Sequence, residues 1–316
     1  MEDRQIKQVH FQITRNCNLR CAFCGQWGKK GFFADSSGTA VSIEEWKRII
    51  SELIEYRDKY GDNITVTVWG GEPLTSPHFD EIISLLKKFD FETEIITNGV
   101  LIDEHLDTIR NCVDVLYVSL DGTKEVHNSI RGEGIFERVT QNLKSLKHKN
   151  VTVMSVITPQ LINVLDEFLN ELDTLNIKRL YLQDMIGLTE NEIQEYKTWL
   201  KNSFDMNARD IDSWRNDNLF KTDSIITGRH SYEIEHKIHT SEGYCKSSFN
   251  HVHIAWNGNV LYCTDFYDFS AGNAKSDTLE NIFNNKKSEK YREEIKKGRC
   301  ITCTHCSWKT DTPSAR

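Results

Sequence analysis

The sequence predicts an α/β fold, an open parallel sheet of six strand–helix units followed by a smaller α+β unit. Three observations predict it. Short β-branched runs alternate with amphipathic helical stretches over about two hundred residues. This alternation fails beyond Asn202. A new pair of strand-like runs, joined by Asn257-Gly258, then opens a separate C-terminal stretch. Six units are too few to close an eight-unit barrel. The expected organisation is a core over residues 1–203, a connector over 204–244 and a small C-terminal unit over 245–316.

Residues 9–13 read as a first strand that ends just before Cys17. Ser42-Ile43-Glu44-Glu45 is a capping box, and Trp46, Ile49, Ile50 and Leu53 follow at helical spacing, so a helix runs to about residue 60. The pattern then predicts strand 64–69, helix 78–88, strand 93–97, helix 103–111 and strand 113–120. Strand 151–158, helix 161–175, strand 179–183 and helix 189–202 complete the series. Ligands of such sheets gather at the carboxyl ends of the strands, which is where the polar motifs below fall. Residues 203–243 are polar, and His230, His236 and His239 among them have no spacing that suits a compact metal site; they read as surface histidines on a solvated connector. In the last unit, 251–256 and 259–262 are strand-like, and the two-residue Asn257-Gly258 turn folds Cys263 back toward Cys245. A helix over 278–297, capped by Gly298, delivers Cys300, Cys303 and Cys306.

With 38% hydrophobic and 27% charged residues, the chain has the composition of a soluble globular protein. No apolar run reaches membrane-spanning length and the start has no signal-peptide pattern, so a cytoplasmic location is expected. A net charge of −8 argues against a nucleic-acid partner. Nine cysteines in that compartment are kept reduced and suit metal ligation better than disulfides. Cys112 stands alone and reads as a small core hydrophobe; the other eight fall in two groups.

The first group, Cys17-Asn18-Leu19-Arg20-Cys21-Ala22-Phe23-Cys24, lets one loop direct three thiols at a single soft metal centre. Three cysteines leave one iron of a cubane cluster open to a non-protein ligand. A zinc loop is the plainer alternative, but zinc closes with four ligands and no fourth lies nearby. Gly70-Gly71-Glu72-Pro73 follows the second strand, where the glycines permit close backbone approach to a ligand and the glutamate accepts from an ammonium group. Thr97-Asn98-Gly99 ends the third strand and Ser119-Leu120-Asp121-Gly122 the fourth; ordinary polar turn chemistry is the competing explanation.

Taken together, these stretches resemble the signature of the radical S-adenosylmethionine (SAM) superfamily, including the aromatic Phe23 before the third cysteine. The resemblance implies a [4Fe–4S] cluster on Cys17, Cys21 and Cys24, with SAM chelating the open iron and cleaved by one electron to methionine and a 5′-deoxyadenosyl radical. It also favours a (β/α)6 partial TIM barrel over a doubly wound sheet. Gly70, Gly71 and Glu72 match the family's GGE motif, which binds the SAM amino group. Thr97, Asn98, Ser119 and Asp121 fall where the family lines the SAM site, and Arg131 is expected to pair with the SAM carboxylate. A reduced flavodoxin- or ferredoxin-type electron donor is implied as a partner.

The second group resembles the twitch domain, the shortened form of the SPASM domain, which holds an auxiliary [4Fe–4S] cluster. Cys245, Cys263, Cys303 and Cys306 are the expected ligands; a structural zinc ribbon is the alternative. Cys300 is left over and is a candidate hydrogen-atom donor, as in radical epimerases, or else a fifth cysteine that serves as an alternative ligand or a bystander. Asp184 and His127 stand at places suited to an acid or base, but equally to ordinary loop residues. The reading that follows is a radical SAM oxidoreductase or epimerase acting on a small polar molecule such as a sugar or aminoglycoside precursor. Only sixteen residues precede Cys17, too few for a fused leader-peptide recognition domain, which favours the small substrate. A ribosomal-peptide maturase of the SPASM type is the alternative, and a non-enzymatic iron–sulfur or zinc protein the second alternative.

Overall fold

The computed structural model describes residues 4–26, 38–147, 150–184, 187–208, 233–237, 245, 247–264, 267–298, 300–301 and 303. Strand β1 (Gln8–Thr14) leads through the first cysteine loop to helix α1 (Ile43–Tyr60), whose start carries the expected Ser42/Glu45 capping box. Next come β2 (Thr65–Gly70), α2 (Phe79–Lys88), β3 (Glu92–Thr97), α3 (Leu106–Cys112) and β4 (Val115–Ser119). Between β4 and β5 (Val151–Ile157) lie two helices that the element-by-element reading omits, α4 (Lys124–Arg131) and α5 (Ile135–Leu146). Gly132 and Gly134, both at positive φ, split a stretch that otherwise has helical apolar spacing. The expected 161–175 helix is likewise two, α6 (Pro159–Asn163) and α7 (Leu165–Thr174), ahead of β6 (Arg179–Asp184) and α8 (Glu190–Phe204).

Strands β1 to β6 are parallel neighbours in sequence order, as six strand–helix units require. The sheet also extends at both ends. A seventh parallel strand, β7 (Glu233–Lys237), pairs with β6 inside the stretch expected to be a solvated connector. Its sequence, Glu-Ile-Glu-His-Lys, offers one apolar residue, so no burial pattern announces it; an edge strand is held by backbone pairing to its single neighbour. His236 lies on β7, while His230 and His239 fall outside the described residues.

At the other end, helix α9 (Ser247–Asn250) precedes β8 (His251–Ile254), which runs parallel to β1. The hairpin partner is β9 (Asn259–Leu261), followed by the short β10 (Gly272–Asn273). Among the described residues one sheet of ten strands results, in the order β10-β9-β8-β1-β2-β3-β4-β5-β6-β7. The hairpin loop has four residues rather than two: Ile254 pairs with Val260, and the Ala255 N–H donates to the Asn259 carbonyl. The expected 278–297 helix is α10 (Leu279–Asn284) and α11 (Lys286–Lys296), separated by Asn285, whose side chain accepts from Ser288 N–H and caps the second.

One face of the sheet packs under the helices with fully buried Val9, Phe11, Val66, Val68, Ile95, Leu116, Val118, Val153, Leu182 and Ile254. Residues alternating with these carry a different chemistry: Gln8, His10 and Gln12 on β1, Thr67 and Trp69 on β2, Glu94 on β3, Tyr117 on β4, and His251 and His253 on β8. A parallel sheet covered by helices on both faces reads as continuous apolar runs. Here the second face mixes polar and aromatic side chains with a few apolar ones, such as Ile96, Met154 and Val156, and its polar part lies on β8, β1, β2 and β3.

Candidate functional site

Four consecutive strand ends meet around the first cysteine loop. Gly71 N–H donates to Thr14 carbonyl at 3.0 Å and Glu72 N–H to Asn16 carbonyl at 2.7 Å, which clamps the Gly-Gly-Glu turn onto the loop's entry. A Cβ on Gly71 would stand 2.3 Å from the Asn16 carbonyl oxygen, and one on Gly70 would stand 2.4 Å from that of Thr14. The glycines therefore permit a close approach between two protein backbones.

Glu72 is 1% exposed. Its carboxylate accepts from Thr97 Oγ1 at 2.6 Å, Leu74 N–H at 3.2 Å and Asn98 N–H at 2.7 Å. Three of roughly four lone-pair directions are used, which leaves one for a ligand. Burial pushes its pKa up to about 7, against the pull of the Asn98 and Thr97 hydrogen bonds. Asn98 carries the link onward: its amide donates to Asn18 Oδ1 at 2.7 Å and lies 3.9 Å from Cys17 Sγ. Asn18 is a site contact that the sequence reading passed over; its place between the first two cysteines is the signal that was available.

On the other side of the loop, Arg131 donates from Nε to Asp121 Oδ2 at 2.5 Å, and its Nη1 is 4.0 Å from Cys21 Sγ. The guanidinium also stands over the Phe23 ring at 5.9 Å. Asp121 is fully buried and its other oxygen accepts from Val156 N–H at 3.0 Å. Burial opposes the Arg131 charge, but Asp121 and then Cys21 hold its pKa above the ordinary value. The structure thus commits Asp121 and Arg131 to each other and to the cysteine loop. Ser119, at the end of β4, is partly exposed. His127 is fully buried, with Nδ1 accepting from Asp121 N–H at 3.0 Å, so it supports this turn from behind.

Leu19 N–H donates to Cys17 Sγ at 3.4 Å, so the first two thiols face hydrogen-bond donors and a guanidinium. Donors and positive charge around sulfur are what an anionic thiolate–iron cluster needs, and this donor set fits one. As free thiols, Cys17 is held up at about 11 and Cys21 is raised, in both cases first by burial. Among the described residues no three His, Cys, Asp or Glu side chains form a closed ligand set. The loop brings the sulfurs to one region without finishing a cage, as expected where the metal itself gathers its ligands.

In the C-terminal unit, Cys300 is 1% exposed in an apolar cluster with Leu188, Ile193, Tyr196, Trp199 and Leu200, and Cys263 and Cys303 pack against it. Tyr291 is buried nearby; its hydroxyl is held well above the usual range first by burial, then by Cys263, Cys303, Cys245 and Cys300. Four of the five C-terminal cysteines are therefore neighbours of one hydroxyl, and Cys300 belongs with them. Cys306 and the C-terminal ten residues lie outside the described residues. The side chain of Asp184 does too.

The Radical SAM superfamily profile matches residues 11–175. An iron–sulfur cluster-binding domain profile matches residues 245–307. The chain is 30% identical to a probable GTP 3′,8-cyclase of Methanococcus aeolicus, over 52% of this chain and 56% of that one. It is 33% identical to the mycofactocin maturase MftC of Mycobacterium tuberculosis, over 50% and 39%. It is 26% identical to a cysteine-type anaerobic sulfatase-maturating enzyme of Clostridium novyi, over 93% and 83%. The chain thus spans about half the length of the first of these and less of the second. Among solved structures, SuiB of Streptococcus suis bound to S-adenosylmethionine superposes with a TM-score of 0.64 at 15% identity, covering 92% of this chain and 68% of that one. The enzyme anSMEcpe with AdoMet and a Cp18Cys peptide gives 0.61 at 18%, covering 90% and 82%. At those identities the likeness is one of fold.

Proposed function

The chain belongs to the radical SAM superfamily, and from that premise we propose that it modifies a peptide or protein by abstracting a hydrogen atom from one of its residues, in a net oxidation supported by the C-terminal iron–sulfur site. The observation that carries this reading is the extent of similarity. The match to the sulfatase-maturating enzyme runs over 93% of this chain and so includes the C-terminal unit, whereas the match to the nucleotide cyclase covers 52%. Two neighbours in fold, SuiB with its precursor peptide SuiA and anSMEcpe with the Cp18Cys peptide, hold peptides and point the same way. This favours the peptide reading over the sugar or aminoglycoside substrate expected from the sequence.

When bound, the first cluster and SAM supply a 5′-deoxyadenosyl radical able to take a hydrogen atom. The protein's own residues hold that chemistry in place. Cys17, Cys21 and Cys24 provide three thiolates; Leu19 N–H, Asn98 and Arg131 offset their negative charge. Glu72, fixed by three hydrogen bonds, keeps one acceptor direction for the SAM ammonium group. Cys245, Cys263, Cys300 and Cys303, with Cys306, form the pool for the second site. Oxidation is preferred to epimerisation because Cys300, the candidate hydrogen donor, is enclosed by apolar side chains beside other cysteines.

The test uses anaerobically reconstituted, reduced protein with SAM and a pool of perdeuterated peptides. Deuterium is expected in 5′-deoxyadenosine, together with a peptide product that lacks two hydrogens. Deuterium delivered instead from a pool of perdeuterated sugars would reject the peptide reading.

A further inference from the structure

The second sheet face beside the cysteine loop holds four polar side chains that the assembly of the SAM site does not use. In the β1–β8 register His10 faces His253, and in the β1–β2 register Gln12 faces Trp69. The Trp69 and His253 rings, on strands either side of β1, approach to 5.2 Å between centroids, and His253 lies 6.4 Å from His10. Gln12 is fully buried and His253 is 2% exposed. Yet His10 Nε2, Gln12 Nε2, Trp69 Nε1 and both ring nitrogens of His253 are buried without a hydrogen-bond partner.

This is a local condition, because the adjoining part of the same face is satisfied. Gln8 Nε2 donates to Thr67 Oγ1 at 3.3 Å, and Thr67 Oγ1 donates to Glu94 at 2.8 Å. Leaving a buried polar atom unpaired is destabilising, so several together mark a place that something else completes. Trp69 immediately precedes Gly70-Gly71-Glu72, and Gln12 is five residues before Cys17, which puts the cluster next to the SAM site.

We infer that His10, Gln12, Trp69 and His253 form a subsite for an uncharged amide group of the substrate, whose carbonyl accepts from Gln12 and Trp69 and whose N–H donates to an imidazole nitrogen. The donor balance favours this class: Gln12 Oε1 already accepts from Trp256 N–H at 3.3 Å, so the Gln12 amide, like the Trp69 indole, has only hydrogens to offer, and each neutral imidazole adds an acceptor. Burial keeps both imidazoles neutral, bringing His10 down to about 3 and His253 well below its usual range, so the subsite holds no cation for a carboxylate or phosphate. The inference rests on the peptide reading above, where such an amide is the backbone of the residue to be modified or of its neighbour.

The experiment is saturation-transfer difference NMR on reconstituted holoenzyme with N-acetylglycine N-methylamide, which has two peptide groups and no reactive side chain. Methyl glucoside and acetate are run as competitors. Binding is scored without turnover, so the inference and the peptide-oxidation reading fail separately. Saturation of the diamide is expected, together with an apparent affinity about fivefold or more weaker in Trp69→Phe and in His253→Phe, each of which keeps a ring but removes the hydrogen-bonding nitrogen, a donor in the first and an acceptor in the second. Iron content and thermal midpoint report whether each variant folds. A signal from the diamide that neither folded variant alters overturns the subsite. So does preferential saturation of methyl glucoside or acetate.

Discussion

Glu72 answers two demands, holding the ends of β2 and β3 together and keeping a direction open for an ammonium group. In Glu72→Gln either amide orientation turns an NH2 toward a backbone N–H, that of Leu74 or of Asn98. The expected cost is about 1–3 kcal/mol of stability. SAM affinity should fall about tenfold or more with the loss of a charge-assisted bond. Equilibrium dialysis with SAM reads the second effect, and an unchanged affinity would remove Glu72 from the SAM site. Asp121→Asn probes the opposite wall. It leaves the Arg131 charge, 10% exposed, without its buried partner, at an expected cost of about 3–5 kcal/mol in denaturant unfolding. A loss below about 1 kcal/mol would mean that the pair does not hold the cysteine loop.

At the level of elements, the Gly-Gly-Glu turn is tied to β1 as tightly as two strands allow. Gly71→Ala would drive a methyl into the Asn16 and Arg15 carbonyls, 2.3 and 2.5 Å from its Cβ, and these are backbone atoms of the cysteine loop itself. The expected outcome is a loop displaced from its seat, with iron content reduced in the reconstituted protein and stability lower by about 2 kcal/mol or more. Full iron content would show the clamp to be dispensable. This element was legible in the sequence as a motif, but its clamp onto the cysteine loop was not, because a glycine pair reads the same whether or not a second backbone comes close. Strands β1 to β6 were legible to within a residue or two, since Val, Ile, Leu or Phe recur on one face of each. The helices α4 and α5 lacked a continuous signal because two glycines interrupt them, and β7 lacked one because Ile234 is its only apolar residue.

For the whole molecule, the decisive feature is a sheet with one apolar face and one that carries a polar patch over β8, β1, β2 and β3. The alternation was present in the sequence, in Gln8, His10 and Gln12 against Val9, Phe11 and Ile13, but the partner strand β8 is more than two hundred residues away, so the histidine cluster emerges only in the fold. Its burial has a global consequence. His10 at about 3, His127 at about 4, both brought down first by burial, and His253 well below its usual value stay neutral in the fold, whereas in the unfolded chain they protonate near pH 6.5. Their contribution is complete above about pH 6.5 and is lost as pH falls, because the unfolded chain takes up protons that the fold refuses. Glu72, raised to about 7, works in the opposite direction, gaining as pH falls below that value. Three groups against one leave a net loss of at most about 3 kcal/mol per pH unit between about pH 6.5 and 5.5, read as guanidinium midpoints. A flat or rising profile would contradict the buried neutral histidines.

The account rests on two iron–sulfur sites carried by one chain, one at the strand ends and one beside Tyr291. Counting iron and sulfide in anaerobically reconstituted protein, before and after Cys17, Cys21 and Cys24 are all replaced by alanine, tests this most directly. About eight irons per chain falling to about four is the predicted result. About four falling to none, with zinc retained by the C-terminal cysteines, would contradict it and make that unit a structural zinc site with no part in oxidation.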